Sequence, residues 1–139
     1  MKTVIDASVA VKWIIRDSAV EMRAGKAVAI LRAIRSHTIE VLAPQHWPIE
    51  VLEVIARIRQ QQVLLTVGIF ESLPYTTVAA PEILRRAATM AVHLNRHLFD
   101  TLYHAVALEE GAILVTADRL YFDKAKNEGA IVFLADFTL

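Results

Sequence analysis

Apolar residues along this chain fall into two kinds of block that take turns. Short, unbroken, partly β-branched runs read as strands buried on both faces: TVIDA, which ends at Asp6, TIEVLAP, stopped by Pro44, YTTVAAP, stopped by Pro81, then AILVTA and a closing AIVFLA. Between them the spacing turns helical. SVAVKWIIRD predicts a short helix. Over residues 21–36, Met22, Ala29, Ile30 and Ala33 form an apolar stripe while Arg23, Lys26, Arg32 and Arg35 fall elsewhere. Residues 46–62 predict one long helix entered through Trp47-Pro48, because a proline in a first turn breaks no helical hydrogen bond. TVGIFESL predicts a weak short helix, and residues 82–95, 100–110 and 120–127 complete the set, with Gly111 a natural terminator of one and Gly129 of another. Strands that are apolar throughout and alternate with helices indicate an α/β class protein: a central, mostly parallel sheet in a three-layer α/β/α arrangement, one domain over residues 1–139.

Composition narrows the chemistry. A chain of 139 residues with 55% hydrophobic content has enough apolar material for one well-buried core. Lys+Arg and Asp+Glu both total 15, so no strong long-range field draws the protein to nucleic acid or to an anionic membrane. A zero sum is still compatible with a local basic rim. The absence of cysteine excludes disulfides, Cys-ligated zinc and thiol catalysis, and suits a reducing cytoplasm. Asp6 and Lys12 interrupt any signal-peptide core in MKTVIDASVAVKWII, and no uncharged apolar run reaches membrane-spanning length, so no membrane partner is expected.

The acidic residues carry the most chemical information. In an open parallel sheet, ligands bind beyond the carboxyl ends of the strands. Asp6 and Asp118 stand at such ends, and Glu50 lies one turn into the helix that follows the second strand. Asp100 opens the helix leading into AILVTA, and reaches the same edge if the preceding connection returns there. Carboxylates gathered this way repel one another unless a cation lies among them. A hard divalent ion, Mg²⁺ or Mn²⁺, suits oxygen ligands and leaves room for a phosphate, the arrangement for metal-assisted phosphodiester hydrolysis. The plainer alternative is local. Asp6, Asp100 and Asp118 each precede a helix, where an aspartate cap contributes about 1 kcal/mol. Glu50 belongs to a polar stripe with His46, Glu53, Arg57 and Gln61, in which Glu53 and Arg57 are spaced for an ion pair. Spacing alone leaves both readings open. Other chemistries find less support: His93 and His97 in HLNRH lack the glutamate of the metalloprotease pattern, Ser8 stands where an Asp-x-Asp phosphatase needs an acid, and no P-loop is present.

Taken in order, VIDASVAVKW, APQHWPIEVLEVIARI and FDTLYHAVALEEGAILVTADR resemble the PIN-domain ribonucleases, in particular the VapC-type toxins of prokaryotic toxin–antitoxin pairs. The shared features are a hydrophobe-Asp-Ser near the start, a Glu after a Trp-Pro pair, Asp-x-x-Tyr-x-Ala-x-Ala and Thr-x-Asp. The resemblance implies a Mg²⁺- or Mn²⁺-dependent endoribonuclease. Asp6, Glu50, Asp100 and Asp118 would form its acidic site, the three aspartates holding metal, with Ser8 and Thr116 as small polar supports. It also implies an antitoxin partner and a homodimer. Val11, Trp13, Ile14, Ile15, Met22, Ile30 and Ile34 on the first two helices offer apolar surface for such a partner, or else plain core. Lys12, Arg16, Arg96 and Arg119 lie near the motif ends as candidates for the RNA backbone. The chain departs from the family pattern at Glu53, where Asn is common, and at His104, where an apolar residue is common; residues 63–81 resemble nothing diagnostic. The runner-up function is a catalytically silent PIN-like module that binds RNA or protein.

Overall fold

A computed structural model describes residues 1–15 and 21–139, with the side chains of 21–24 outside the description. Arg16 and the Met22 side chain therefore lie outside the described residues. Five strands form one sheet: β1 (Lys2–Ile5), β2 (Glu40–Ala43), β3 (Tyr75–Thr77), β4 (Ile113–Thr116) and β5 (Ile131–Phe133), in the order β3-β2-β1-β4-β5. Every pairing is parallel, with Thr3 against Val41 on one side of β1 and Ile5 against Val115 on the other. The β-branched runs go where the pattern placed them: in β1, β2 and β4 the last three residues are buried.

The α-helices among the described residues are α1 (Ala7–Ala10), α2 (Glu21–Arg35), α3 (Trp47–Ile58), α4 (Val63–Ser72), α5 (Pro81–Leu94), α6 (Leu98–Glu110) and α7 (Arg119–Ala125). From β1 the chain steps outward through β2 to β3, then returns across the sheet to β4 and β5 on the far side. With right-handed crossovers this reversal puts the helices before β3 on one face and α5, α6 and α7 on the other. α6 accordingly lies across β1, β2 and β4, with α5 packed on it.

The long helix expected over residues 46–62 is broken. Arg59 leaves helical geometry at φ −137°, ψ 63°, a 3₁₀ turn follows, and α4 starts at Val63, ahead of TVGIFESL. Packing drives the break: Phe70 of α4 folds back onto Trp47 and Trp13, with ring centroids 5.0 and 6.1 Å apart. Edge-to-face contacts such as Trp47–Phe70 add about 0.5–1.5 kcal/mol each beyond area burial, enough to override a helical pattern at exposed Arg59 and Gln60. Gly111 ends α6 in the left-handed region at φ 67°, as its position predicted, and Asn95 does the same for α5 at φ 52°.

The apolar surface of the first helices is mostly core. Trp13, Ile30 and Ile34 are buried, and Val11, Ile14 and Ile15 are half-buried against them. Trp13 also donates its indole N–H to the Ala27 carbonyl at 2.9 Å, tying the turn after α1 to α2. No helix among the described residues is long and apolar enough to cross a membrane.

Candidate functional site

The strand order reverses between β1 and β4, where open parallel sheets place their ligand crevice beyond the carboxyl ends, and each acid reaches this edge by a different local route. Asp6 is the first residue past β1, and its backbone N–H still bonds the Val115 carbonyl at 3.0 Å. Its side chain is buried and does not cap α1. Instead Oδ2 accepts from Ser8 Oγ at 2.6 Å and from Thr116 Oγ1 at 2.9 Å. Thr116 in turn accepts from the Asp118 N–H at 3.1 Å, and Ser8 Oγ from the Ala117 N–H at 3.0 Å. Two small hydroxyls thus stitch the end of β1 to the end of β4.

Asp118 does cap its helix: Oδ1 accepts from the Tyr121 N–H at 3.0 Å. Asp100 does not cap. Helix α6 begins at Leu98 with His97 in the cap position, so Asp100 sits inside the first turn, its carboxylate free to face the crevice. The short turn after α5 returns the chain to this edge, as the Arg96 contacts record: Nη2 donates at 3.2 Å both to Asp100 Oδ2 and to Asp118 Oδ2. Glu50 lies in the first turn of α3 and accepts from Tyr103 Oη at 3.0 Å; Tyr103 stands one turn beyond Asp100 on α6.

The electrostatics record how close these groups are. Burial pushes the Asp6 carboxyl up to about 6 against the pull of its hydroxyl donors, and Asp100 and Asp118 push it further. Burial likewise raises Glu50 to about 7, with the charges of Asp6 and Asp100 adding to it. Asp100 is raised as well, first by burial and then by Asp118, although Arg96 opposes both. Tyr103, buried beneath three of these acids, is held well above the ordinary tyrosine range and stays a donor. Among the described residues, the edge holds more negative charge than the Arg96 guanidinium neutralises. Among the described residues no three His, Asp or Glu side chains are grouped tightly enough to hold a metal ion as they stand; the cation that two of the acids share is Arg96.

The other expected residues divide. Arg119 is exposed at the start of α7, its guanidinium 3.9 Å from the Phe133 ring centroid and 3.9 Å from Asp123. Lys12 is partly buried on the 3₁₀ turn after α1. Arg96, expected at the RNA backbone, is engaged with carboxylates instead. Glu53 and Arg57 are both exposed and form no ion pair, which corrects the spacing argument: a solvated pair gains too little to fix two long side chains. His104 belongs to the core, not the edge. Nε2 donates to the Gly129 carbonyl at 2.7 Å, Nδ1 accepts from Tyr121 Oη at 2.9 Å, and burial lowers its pKa, which keeps this neutral tautomer. His93 faces Glu128 at 3.8 Å. Sequence reasoning missed Tyr103 and His46. Tyr103 carried a signal, since it lies three residues after Asp100 on the same helical face. His46 bonds the Phe99 carbonyl through Nε2 at 2.9 Å and stacks on Phe99 with centroids 5.0 Å apart, contacts across 53 residues that no local pattern encodes.

A family model described as the PIN domain matches residues 3–128. A search of curated proteins finds no match. Two solved structures share the fold. VapBC2 from Rickettsia felis, bound to a DNA fragment from its promoter, superposes with a TM-score of 0.66 at 14% identity, over 96% of this chain and 97% of that one. PAE2754 from Pyrobaculum aerophilum does so with a TM-score of 0.60 at 15% identity, over 97% and 90%. Identities this low speak for the fold alone. The family match spans nearly the whole chain and covers all four crevice acids, so the protein belongs to the PIN domain family, whose members are in general nucleases.

Proposed function

We propose that the protein is a Mg²⁺- or Mn²⁺-dependent endoribonuclease, the toxin of a type II toxin–antitoxin pair acting in the cytoplasm. The observation that carries the reading is that Asp6, Glu50, Asp100 and Asp118, from four separate elements, feel one another's charge at one strand edge, where Arg96 bridges Asp100 and Asp118. A hard divalent ion fits this donor set. The side chains present only oxygen, they already hold a cation, and the raised Asp6 and Glu50 carboxyls mark a shortage of positive charge. Asp6, Asp100 and Asp118 would hold the ion, which supplies Lewis acidity at the phosphate and charge opposite the leaving oxygen.

The chain's own residues do the rest. Ser8 and Thr116 fix the orientation of Asp6. Glu50, held by the Tyr103 hydroxyl, completes the shell or orients the attacking water. Arg119 at the start of α7, with Lys12 in the turn after α1, serves the RNA backbone. The R. felis neighbour is a VapBC2 assembly on promoter DNA, which supports an antitoxin as the partner here. Homodimer formation belongs to the same proposal.

The test is cleavage of single-stranded or loop RNA by metal-depleted protein. No cleavage is expected until Mg²⁺ or Mn²⁺ is restored; full activity in excess EDTA would overturn metal dependence. Binding of RNA without hydrolysis under any divalent ion would turn the reading toward a silent RNA-binding module. Co-purification with a protein encoded directly upstream checks the antitoxin, and light scattering checks the dimer.

A further inference from the structure

Arg96 is the one group at the crevice that no part of the proposed chemistry uses. It stands in the short connection between α5 and α6, directly after Asn95, whose left-handed backbone turns the chain. Its backbone N–H bonds the Ala91 carbonyl at 3.0 Å, so its Cα is anchored while the long side chain reaches into the edge. A single nitrogen, Nη2, serves Asp100 Oδ2 and Asp118 Oδ2, each at 3.2 Å. Charge-assisted hydrogen bonds of this type commonly measure about 2.7–2.9 Å, and an arginine that binds for keeps uses two nitrogens on one carboxylate. The shared contact is long on both arms. The neighbouring Nε is buried and has no hydrogen-bond partner. The guanidinium carbon lies 5.8 Å from the Tyr121 ring centroid, so an aromatic face stands beside it.

These features describe a cation that neutralises the edge without satisfying its own donors. The oxygens it occupies are the ones a divalent ion would need. A guanidinium shared between two carboxylates is also a weaker partner than a divalent ion.

We propose that Arg96 is a resident counter-cation that competes with the divalent ion for Asp100 and Asp118, holding the edge together without metal and withdrawing when metal binds. The proposal rests on the metal-dependent reading above. It assigns Arg96 a positioning role: it sets how tightly the site loads, and it keeps the acids from repelling one another before loading.

The experiment is isothermal titration of metal-depleted full-length protein with Mn²⁺, with free Mn²⁺ counted independently by electron paramagnetic resonance. Arg96→Met removes the competing charge. It should bind Mn²⁺ tighter than wild type by roughly tenfold, the equivalent of one charge-assisted hydrogen bond removed from the competing state. Its metal-free melting temperature should fall, and its melting shift on adding Mn²⁺ should exceed that of wild type. A purely structural ion pair also predicts lower metal-free stability, but with unchanged or weaker Mn²⁺ binding, and that binding result overturns the proposal. Should Arg96→Met fail to fold, Arg96→Gln removes the charge while keeping a polar side chain, and tighter binding than wild type is still expected; equal or weaker binding refutes the competition. If wild type itself takes up no Mn²⁺, the metal-dependent reading fails and this proposal with it. If wild type binds and neither variant binds tighter, the competition alone fails.

Discussion

Asp6 and Asp118 hold equivalent stations. Each follows one of two adjacent parallel strands, each precedes a helix, and each has the extended backbone of a cap, at φ −62°, ψ 149° and φ −87°, ψ 101°. Only Asp118 caps. Its two oxygens divide the work, Oδ1 to the Tyr121 N–H and Oδ2 to Arg96. Asp6 is drawn the other way by Ser8 and Thr116, and the four-residue α1 beyond it goes without a side-chain cap. Cap geometry in the backbone therefore does not decide what a carboxylate is for; the hydroxyls next to it do. A capping aspartate also keeps one oxygen for other partners, so capping and ligation are not exclusive.

The largest effect that would sharpen this contrast is on catalysis. Asp6→Asn and Asp118→Asn should each lower RNA hydrolysis by about a thousandfold or more, the equivalent of several kcal/mol of lost charge stabilisation. Their metal-free stabilities should part: Asp6→Asn unchanged or higher, since a buried charge is removed, and Asp118→Asn lower, since Arg96 loses a partner. Melting curves check the sign. If both variants soften alike, the comparison breaks.

Next comes pH. Asp6 and Glu50 carry folded values of about 6 and about 7 against unfolded values of 3.8 and 4.5. Between those limits the native state binds more protons than the unfolded chain, so their contribution to metal-free stability falls as pH rises from about 4 to about 7. Metal binding needs the carboxylates ionised, so stabilisation by Mn²⁺ should grow over the same range. Denaturant unfolding at pH 4.5, 6 and 7.5, with and without Mn²⁺, tests both slopes, and Asp6→Asn should flatten the metal-free one.

Thr116→Val strikes the two aspartates together, because Thr116 Oγ1 donates to Asp6 and accepts from the Asp118 N–H. It should cost about 1–3 kcal/mol of stability and shift the acid limb of the pH–rate profile upward, as Asp6 loses a donor to its charged form. The smallest effect isolates the cap. Asp118→Ala should be less stable than Asp118→Asn by about 1 kcal/mol without metal, whereas Asp6→Ala and Asp6→Asn should match in capping, measured as helix-end protection in hydrogen exchange.

Much of this was readable from pattern, and the reasons differ by residue. Continuous apolar runs marked β1 and β4 because central strands covered on both faces leave no polar side to confuse the period, whereas β3, at the sheet edge, is Tyr-Thr-Thr with both threonines exposed. Asp6 and Asp118 stood out as strand-end acids, but their adjacency depends on β1 pairing with β4 across more than a hundred residues, which no local spacing states. The break at Arg59 was hidden for the same reason, since the Trp47–Phe70 contact that causes it is tertiary. Arg96 was visible only as a charge near a motif; which carboxylates it bridges depends on where α6 enters the crevice. His104, one turn past Asp100, packs in the core all the same, because helical spacing gives proximity along the axis and not the face a side chain takes.

The reversal of strand order has a use outside enzymology. Cut at exposed Ala79, just past β3, the chain divides into a piece holding Asp6 and Glu50 and a piece holding Asp100 and Asp118. Neither piece owns a whole edge, and the β1–β4 ladder and α6 lying on β1 and β2 are what would bring them together. On the proposed reading, two such fragments fused to a pair of interacting proteins make a split reporter: each silent alone, and cutting RNA only where its hosts meet.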